Sequence, residues 1–113
     1  MKVLSLTEPG ATLIKEKKKL IETRSWKTNY RGELYIHGSN APFFKLWKDD
    51  EEVLKLIKNI PLSYGKIICK CKLVDCIYMT KEYVEEMKKR NYQEYICGLY
   101  EEGRYAWILE DIK

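Results

Sequence analysis

Three ionisable side chains lie close together between residues 19 and 24, namely Lys19, Glu22 and Arg24. The pattern from residue 20 onward predicts a strand, on which Glu22 and Arg24 share a face because they are two positions apart. Lys19 precedes this strand at the exit of a predicted helix, so its long side chain can turn toward both. The spacing predicts a carboxylate between two cations, either an ion-pair cluster that joins helix to strand or a polar centre that lines a pocket.

The chemistry of this cluster depends on whether Lys19 carries a charge. Burial beside Arg24 would favour the neutral amine, whereas the nearby carboxylate of Glu22 favours the charged form. With the carboxylate so close we expect a charged Lys19, which suits contact with a phosphate or an oxyanion and is poorly suited to general base catalysis. Lys19 and Glu22 are candidate catalytic residues only if the protein is an enzyme.

An aromatic and basic stretch follows directly and contains Trp26, Lys27, Tyr30 and Arg31. Aromatic faces interleaved with cations bind the bases and phosphates of single-stranded nucleic acid. We expect Trp26 to be an exposed stacking platform, with Tyr30 as a second one, and Arg31 to clamp a phosphate through its fork of donors. The alternative is that these aromatic residues are ordinary core residues.

Positive charge is concentrated in the same region of the chain. Residues 15–31 contain seven basic and two acidic residues, a net charge of +5, whereas the rest contains 14 basic and 15 acidic residues. A local excess of this kind is expected of a site for an anion such as phosphate. A solvated lysine cluster is the alternative.

The single histidine and the four cysteines are weaker candidates. His37 lies on a predicted strand, where it could contact a base or a ribose, carry a proton, or be a structural residue with satisfied hydrogen bonds. Cys69 and Cys71 occupy alternate strand positions separated by a lysine, which is not the spacing of a zinc knuckle. We expect reduced core thiols, no metal site and no cofactor. The remaining cysteines are Cys76 and Cys97.

The elements that position these residues follow from hydrophobic periodicity and from turn residues. Thr80 is the predicted N-cap of one helix. About five strands with helices between them predict an α+β fold, a small mixed β-barrel of five to six strands with flanking helices. Strands are predicted over 3–6, 20–26, 34–39, 66–78 and 105–109, and helices over 9–18, from 42 to 47, from 53 to 57 and from 80 to 90.

The length of 113 residues fits one compact domain spanning 1–113 and excludes a large multidomain enzyme. No apolar run approaches the ~20 residues that a membrane-spanning helix needs. We therefore expect a soluble, cytoplasmic protein that does not associate with membranes.

The run that ends at Arg24 resembles the signature G-x-K-x-x-E-x-R of the ASCH domain, the activating signal cointegrator homology family within the PUA-like superfamily. Lys19, Glu22 and Arg24 match three of its four fixed positions, and Lys17 stands at the fourth, where the family has glycine. The turn before the strand is therefore expected to differ in shape. Residues 4–9, 25–32, 34–39 and 105–109 also resemble segments of the family, so the likeness covers nearly the whole chain.

The resemblance implies a PUA-like β-barrel with a cleft between helix and barrel, lined by the signature residues. Members of the family are thought to bind RNA or other nucleic acid, often in translation or transcription. Some small bacterial members are amidohydrolases on acetylated cytidine, and others are described as ribonucleases. In the amidohydrolases the signature lysine works with a threonine three residues later and a distant glutamate. Here Glu22 takes that threonine position, Thr23 is adjacent, and the distant carboxylate would come from Glu82, Glu85 or Glu86.

The sequence thus predicts a small domain that binds RNA or a nucleotide, with DNA as a possible competitor. One alternative is a metal-independent hydrolase of a modified nucleoside or of single-stranded RNA. A second is a protein-interaction module with a partner in transcription or translation. The predicted nucleic-acid-binding residues are Lys19, Glu22, Arg24, Trp26, Lys27, Tyr30, Arg31 and His37.

Overall fold

A computed structural model describes all residues 1–113 and contains five strands and four α-helices, which confirms the α+β class. A short 3₁₀ helix, Lys45–Trp47, precedes the second α-helix. The strands are β1 (Val3–Leu6), β2 (Ile21–Arg24), β3 (Gly32–Gly38), β4 (Lys66–Tyr78) and β5 (Tyr105–Glu110), and the helices are α1 (Gly10–Lys15), α2 (Glu51–Leu56), α3 (Lys81–Arg90) and α4 (Tyr92–Ile96).

The five strands form one sheet in the order β1-β3-β4-β5-β2. The outer strand β1 is parallel to β3, whereas all other neighbours are antiparallel. No pairing joins β1 to β2, so the sheet is open and the predicted closure into a barrel is not confirmed. The two outer strands therefore each have an edge whose backbone N–H and C=O groups need hydrogen-bond partners other than a neighbouring strand.

Buried and exposed side chains alternate along the long strand β4, with Cys69 and Cys71 at alternate positions as predicted. Cys69, Cys71 and Leu73 are buried in the main core, whereas Lys70 and Lys72 point to solvent. Ile67 departs from the pattern because the register with β3 shifts between Ile36 and His37, which leaves its side chain exposed.

The cysteines are free, and three of them are buried, as expected of reduced core thiols. Burial raises the pKa of Cys69, Cys71 and Cys97 to about 11. These thiols are therefore protonated at neutral pH and poor nucleophiles.

Helices α1 and α3 differ from the sequence prediction only at their ends, whereas the helix predicted from 42 to 47 is wrong, since only the 3₁₀ turn Lys45–Trp47 forms there. The Thr80 hydroxyl accepts from the amide of Tyr83 at 3.1 Å, which confirms the predicted N-cap of α3. The helix predicted from 53 to 57 begins two residues earlier, at Glu51, because the side chain of Asp50 caps α2. Helix α4 was not predicted; its first turn is capped by Asn91, whose side chain accepts from Glu94 N. None of the helices has the length and apolar character required to cross a bilayer.

Candidate functional site

A left-handed residue turns the chain from α1 into β2. Lys17 has a φ of 61°, a region that glycine enters at little cost and other residues rarely occupy. The amides of Lys18 and Lys19 then both donate to the carbonyl of Leu13, at 2.9 and 3.1 Å. This turn ends α1 at Lys15 and directs the Lys19 side chain inward.

Lys19 is the largest fully buried side chain of the protein, with 1% of its surface exposed. Its Nζ donates to the backbone carbonyl of Cys97 at 2.5 Å and lies 3.6 Å from Oε1 of Glu22. The ammonium also lies 6.0 Å from the centre of the Trp47 ring. A buried cation is tolerated when it is paired and hydrogen-bonded, so these contacts favour a charged Lys19.

Glu22 bridges the two cations of the cluster. Its second oxygen, Oε2, lies 3.0 Å from Nε of Arg24, while Oε1 faces Lys19. The carboxylate predicted between two cations is therefore present. The Nε group of Arg24 is buried and its N–H makes no hydrogen bond, so the contact with Glu22 is an ion pair only.

The Arg24 guanidinium lies between two tryptophans. Its central carbon is 5.2 Å from the Trp26 ring centre and 6.0 Å from that of Trp107, and the two rings meet edge to face. The indole N–H of Trp107 donates to the carbonyl of Trp26 at 3.3 Å. Trp107 belongs to the core, whereas Trp26 is 53% exposed. Trp26 thus has the exposure that a stacking platform requires.

Helix α4 carries a buried carboxylate that sequence analysis did not single out. The two oxygens of Glu94 accept from the amides of Leu20 and Ile21, at 2.7 and 3.3 Å, where the chain enters β2. Burial raises the pKa of Glu94, and the charge of Lys19 opposes this effect. Because Cys97 follows the same helix, α4 holds both the start of β2 and the Lys19 ammonium. The sequence carries no local signal for this, since Glu94 resembles the exposed glutamates around it.

These side chains line a cavity of about 270 Å³, which we call the signature pocket. It contains residues of both outer strands and of the segment that follows α4. The residues lining it are Ser5, Leu6, Thr7, Gly10, Lys19, Glu22, Thr23, Arg24, Ser25, Trp26, Phe44, Trp47, Gly98, Leu99 and Arg104.

Arg104 and Thr23 belong to this pocket although neither was among the predicted site residues. Arg104 donates from Nε to the carbonyl of Leu99 at 2.9 Å and from Nη2 to that of Thr23 at 3.3 Å. The Thr23 hydroxyl accepts from the amide of Leu99 at 3.1 Å, which leaves its own hydrogen available. Arg104 could not be found from local pattern, because it lies in a turn 81 residues after Thr23.

Of the eight predicted site residues, the structure brings Lys19, Glu22, Arg24 and Trp26 to the signature pocket. The other four, Lys27, Tyr30, Arg31 and His37, do not line it.

Three of these outlying residues have partners within the chain. The Tyr30 hydroxyl donates to the carbonyl of Glu33. Arg31 donates from Nη1 to the carbonyls of Thr28 and Tyr30 and lies 3.8 Å from Asp75. The Nδ1 atom of His37 lies 2.7 Å from the Ser5 hydroxyl, on the strand next to its own.

The candidates for a distant carboxylate also lie elsewhere. Glu82, Glu85 and Glu86 are on α3, around a separate surface depression, and none of them lines the signature pocket. The carboxylate from the C-terminal part of the chain that faces the Lys19 region is Glu94. No three His, Cys, Asp or Glu side chains are grouped so as to hold a metal ion.

The fold and site define a small α+β domain with a charged pocket at the junction between its first helix and second strand. The family model of the ASCH domain matches residues 4–113, so the chain belongs to the ASCH family of the PUA-like superfamily. A comparison with curated proteins finds no match.

Proposed function

We propose that the signature pocket binds a nucleotide or a short segment of single-stranded RNA. The observation that carries this proposal is the placement of a buried, paired Lys19 in the same cavity as Arg24 and the exposed ring of Trp26. Cations with an adjacent free aromatic face are the combination that phosphates and unstacked bases require. Membership in the ASCH family is consistent with this role.

Each residue has a distinct task in the proposed complex. Lys19 and Arg24 supply positive charge to the ligand, and Trp26 stacks on a base. Both oxygens of Glu22 face cations of the chain, so we assign Glu22 to holding those cations rather than to reading a base edge. Lys27 and Arg31 would contact only nucleotides outside the pocket.

A direct test measures binding of fluorescently labelled single-stranded RNA by anisotropy over a range of salt concentrations. Affinity should fall as salt rises, because phosphate contacts release counterions. Trp26→Ala should weaken binding, and about 1–3 kcal/mol per stacked base is the usual loss. The matched control is Tyr92→Ala, which removes an aromatic ring of similar exposure outside the pocket. Salt-independent affinity, or equal affinity in the two variants, would contradict the proposal.

A second candidate function, hydrolysis, is favoured by one observation. The hydroxyl of Thr23 lines the same pocket as Lys19 and Glu22, so a nucleophile, a cation and a carboxylate share one cavity. The pairing of Lys19 with Glu22 and with the Cys97 carbonyl opposes a role for this lysine as a base. Incubation with acetylated cytidine and with single-stranded RNA, in the absence of metal, tests this function. Turnover that is lost in Thr23→Val and in Lys19→Gln would establish it.

A further inference from the structure

We propose that the signature pocket receives a terminal phosphate, the phosphomonoester of a free nucleotide or of a strand end, rather than an internal phosphodiester. This inference rests on the proposed function and specifies its ligand. It follows from the depth of Lys19, the unused donors of two arginines, the charge of the lining and the position of Trp26.

The depth of Lys19 restricts which phosphate can reach it. The side chain is almost completely buried, so a ligand contacts its ammonium only by entering the cavity. The cavity of about 270 Å³ is at the small end for ligand sites, which are typically about 300–1,000 Å³. An internal phosphodiester has a nucleotide on each side, and both would have to enter with it. A terminal phosphate is attached on one side only.

The two arginines of the pocket keep donors that the chain does not use. Arg24 donates from Nη2 to Ser5, and Arg104 donates from Nε and Nη2 to Leu99 and Thr23. In both residues Nη1 makes no hydrogen bond within the chain, although each Nη1 carries two N–H groups. The Lys19 ammonium likewise makes one hydrogen bond within the chain, to the Cys97 carbonyl, and lies 3.6 Å from Glu22 as an ion pair. An acceptor-rich group such as phosphate matches this surplus.

The charge of the lining matches a phosphomonoester better than a diester. Lys19, Arg24 and Arg104 carry three positive charges, and Glu22 is the single acidic residue of the lining. The surplus is therefore two positive charges. A phosphomonoester carries about −1.5 to −2 at neutral pH, whereas a diester carries one negative charge.

Trp26 completes the arrangement because it belongs to the lining and is also half exposed. A phosphate inside the cavity would leave its base near the entrance, where an exposed indole face can stack on it. The far face of Trp26 is the available one, because the Arg24 guanidinium already lies over the ring. The inferred orientation is phosphate inward and base at Trp26.

The test compares RNAs of one sequence and length with different ends. The set consists of a 5′-phosphate, a 3′-phosphate, hydroxyls at both ends, and a covalently closed circle. We expect at least one phosphate-ended RNA to bind about tenfold more tightly than the hydroxyl-ended and circular RNAs. Equal, salt-dependent affinity for all four would overturn the inference and leave the proposed function standing. Absence of binding to any RNA or nucleotide would overturn both.

Two further measurements distinguish phosphate binding in the pocket from binding elsewhere on the surface. Arg104→Gln should abolish the preference for a phosphate end, whereas Arg90→Gln removes an exposed arginine on α3 and should preserve it. Retention of the preference in a folded Arg104→Gln variant would contradict the inference. On the unmodified chain, a nucleoside monophosphate should displace bound RNA at about tenfold lower concentration than the matching nucleoside. Equal displacement by the two compounds would also contradict it.

Discussion

The side chain of Arg24, at the end of β2, donates from Nη2 to the backbone carbonyl of Ser5 on β1 at 3.3 Å. These two strands are the outer strands of the sheet and do not pair with each other. A side chain therefore joins two edges that a closed barrel would join through backbone hydrogen bonds. Both residues line the signature pocket, so the pocket lies where the sheet remains open.

Replacement of Arg24 tests this connection between the edges. Arg24→Ala should lower the free energy of unfolding by about 1–3 kcal/mol, because it removes the bond to Ser5 and leaves Glu22 with one cation. Arg24→Lys retains the charge but not the planar fork, and should recover only part of the loss. Urea denaturation measures both. Arg90→Ala, at an exposed position, should change little, and an equal loss there would refute the expectation.

Lys17→Gly should stabilise the protein. A left-handed backbone costs roughly 1–2 kcal/mol in a residue with a side chain, and the greater freedom of glycine in the unfolded chain offsets part of this. We expect a net gain of up to about 1 kcal/mol in the free energy of unfolding. Lys17→Ala removes the same side chain without relieving the backbone and should give no gain. If the free energy of unfolding rose equally in both variants, the cause would be the removal of the Lys17 charge and not the relief of the backbone.

Glu94→Gln should change the pH dependence of stability. Burial raises the pKa of Glu94 above its ordinary 4.5 in the folded state, so the native protein binds this proton more tightly than the unfolded chain does. The corresponding stability is present below pH 4.5 and is lost as pH rises through the folded pKa. Glutamine does not titrate, so the variant does not lose this contribution. The free energy of unfolding of the variant should therefore rise relative to that of the unmodified protein as pH rises. Parallel denaturation profiles from pH 4 to 8 would contradict this.

Gly98→Ala should disturb the segment that holds Lys19. An added Cβ would lie 2.9 Å from the Tyr100 ring and 3.0 Å from the Thr23 methyl group. We expect a loss of about 1–3 kcal/mol in the free energy of unfolding, as is typical of overpacking. The control is Gly10→Ala, where nothing lies within 4 Å and helix propensity should favour alanine. If Gly98→Ala lowered the free energy of unfolding less than Gly10→Ala does, the segment would accommodate the added methyl group without destabilisation.

The cysteines should differ in their reactivity toward an alkylating reagent. Cys76 is half-buried, whereas burial raises the pKa of Cys69, Cys71 and Cys97 to about 11. At pH 8 the native protein should therefore be modified first at Cys76, and at the other three only after unfolding. Peptide mass spectrometry after timed labelling measures this order. Early modification of Cys97 would mean that the segment after α4 opens in the native state.

Local spacing was sufficient to predict the centre of the pocket. Glu22 and Arg24 share a face because side chains alternate along a strand, and Lys19 reaches them because it ends the preceding turn. The same alternation placed Cys69 and Cys71 on the buried side of β4, and a short-range capping preference predicted the start of α3 at Thr80. All of these features involve residues only a few positions apart.

The rest of the pocket was decided by tertiary structure. Arg104 lines the pocket from 81 positions after its partner Thr23, and Glu94 and the Cys97 carbonyl bind the Leu20 amide and the Lys19 ammonium from more than 70 positions away. No local pattern encodes such pairings. Conversely, Arg31 lies near Trp26 in sequence, yet the turn before β3 carries it to Asp75 and to backbone carbonyls. Whether the barrel closes is equally non-local, because it depends on the accumulated twist of the whole sheet. Residue types and spacing determine which groups share a strand face, whereas packing of distant segments determines which groups share a cavity.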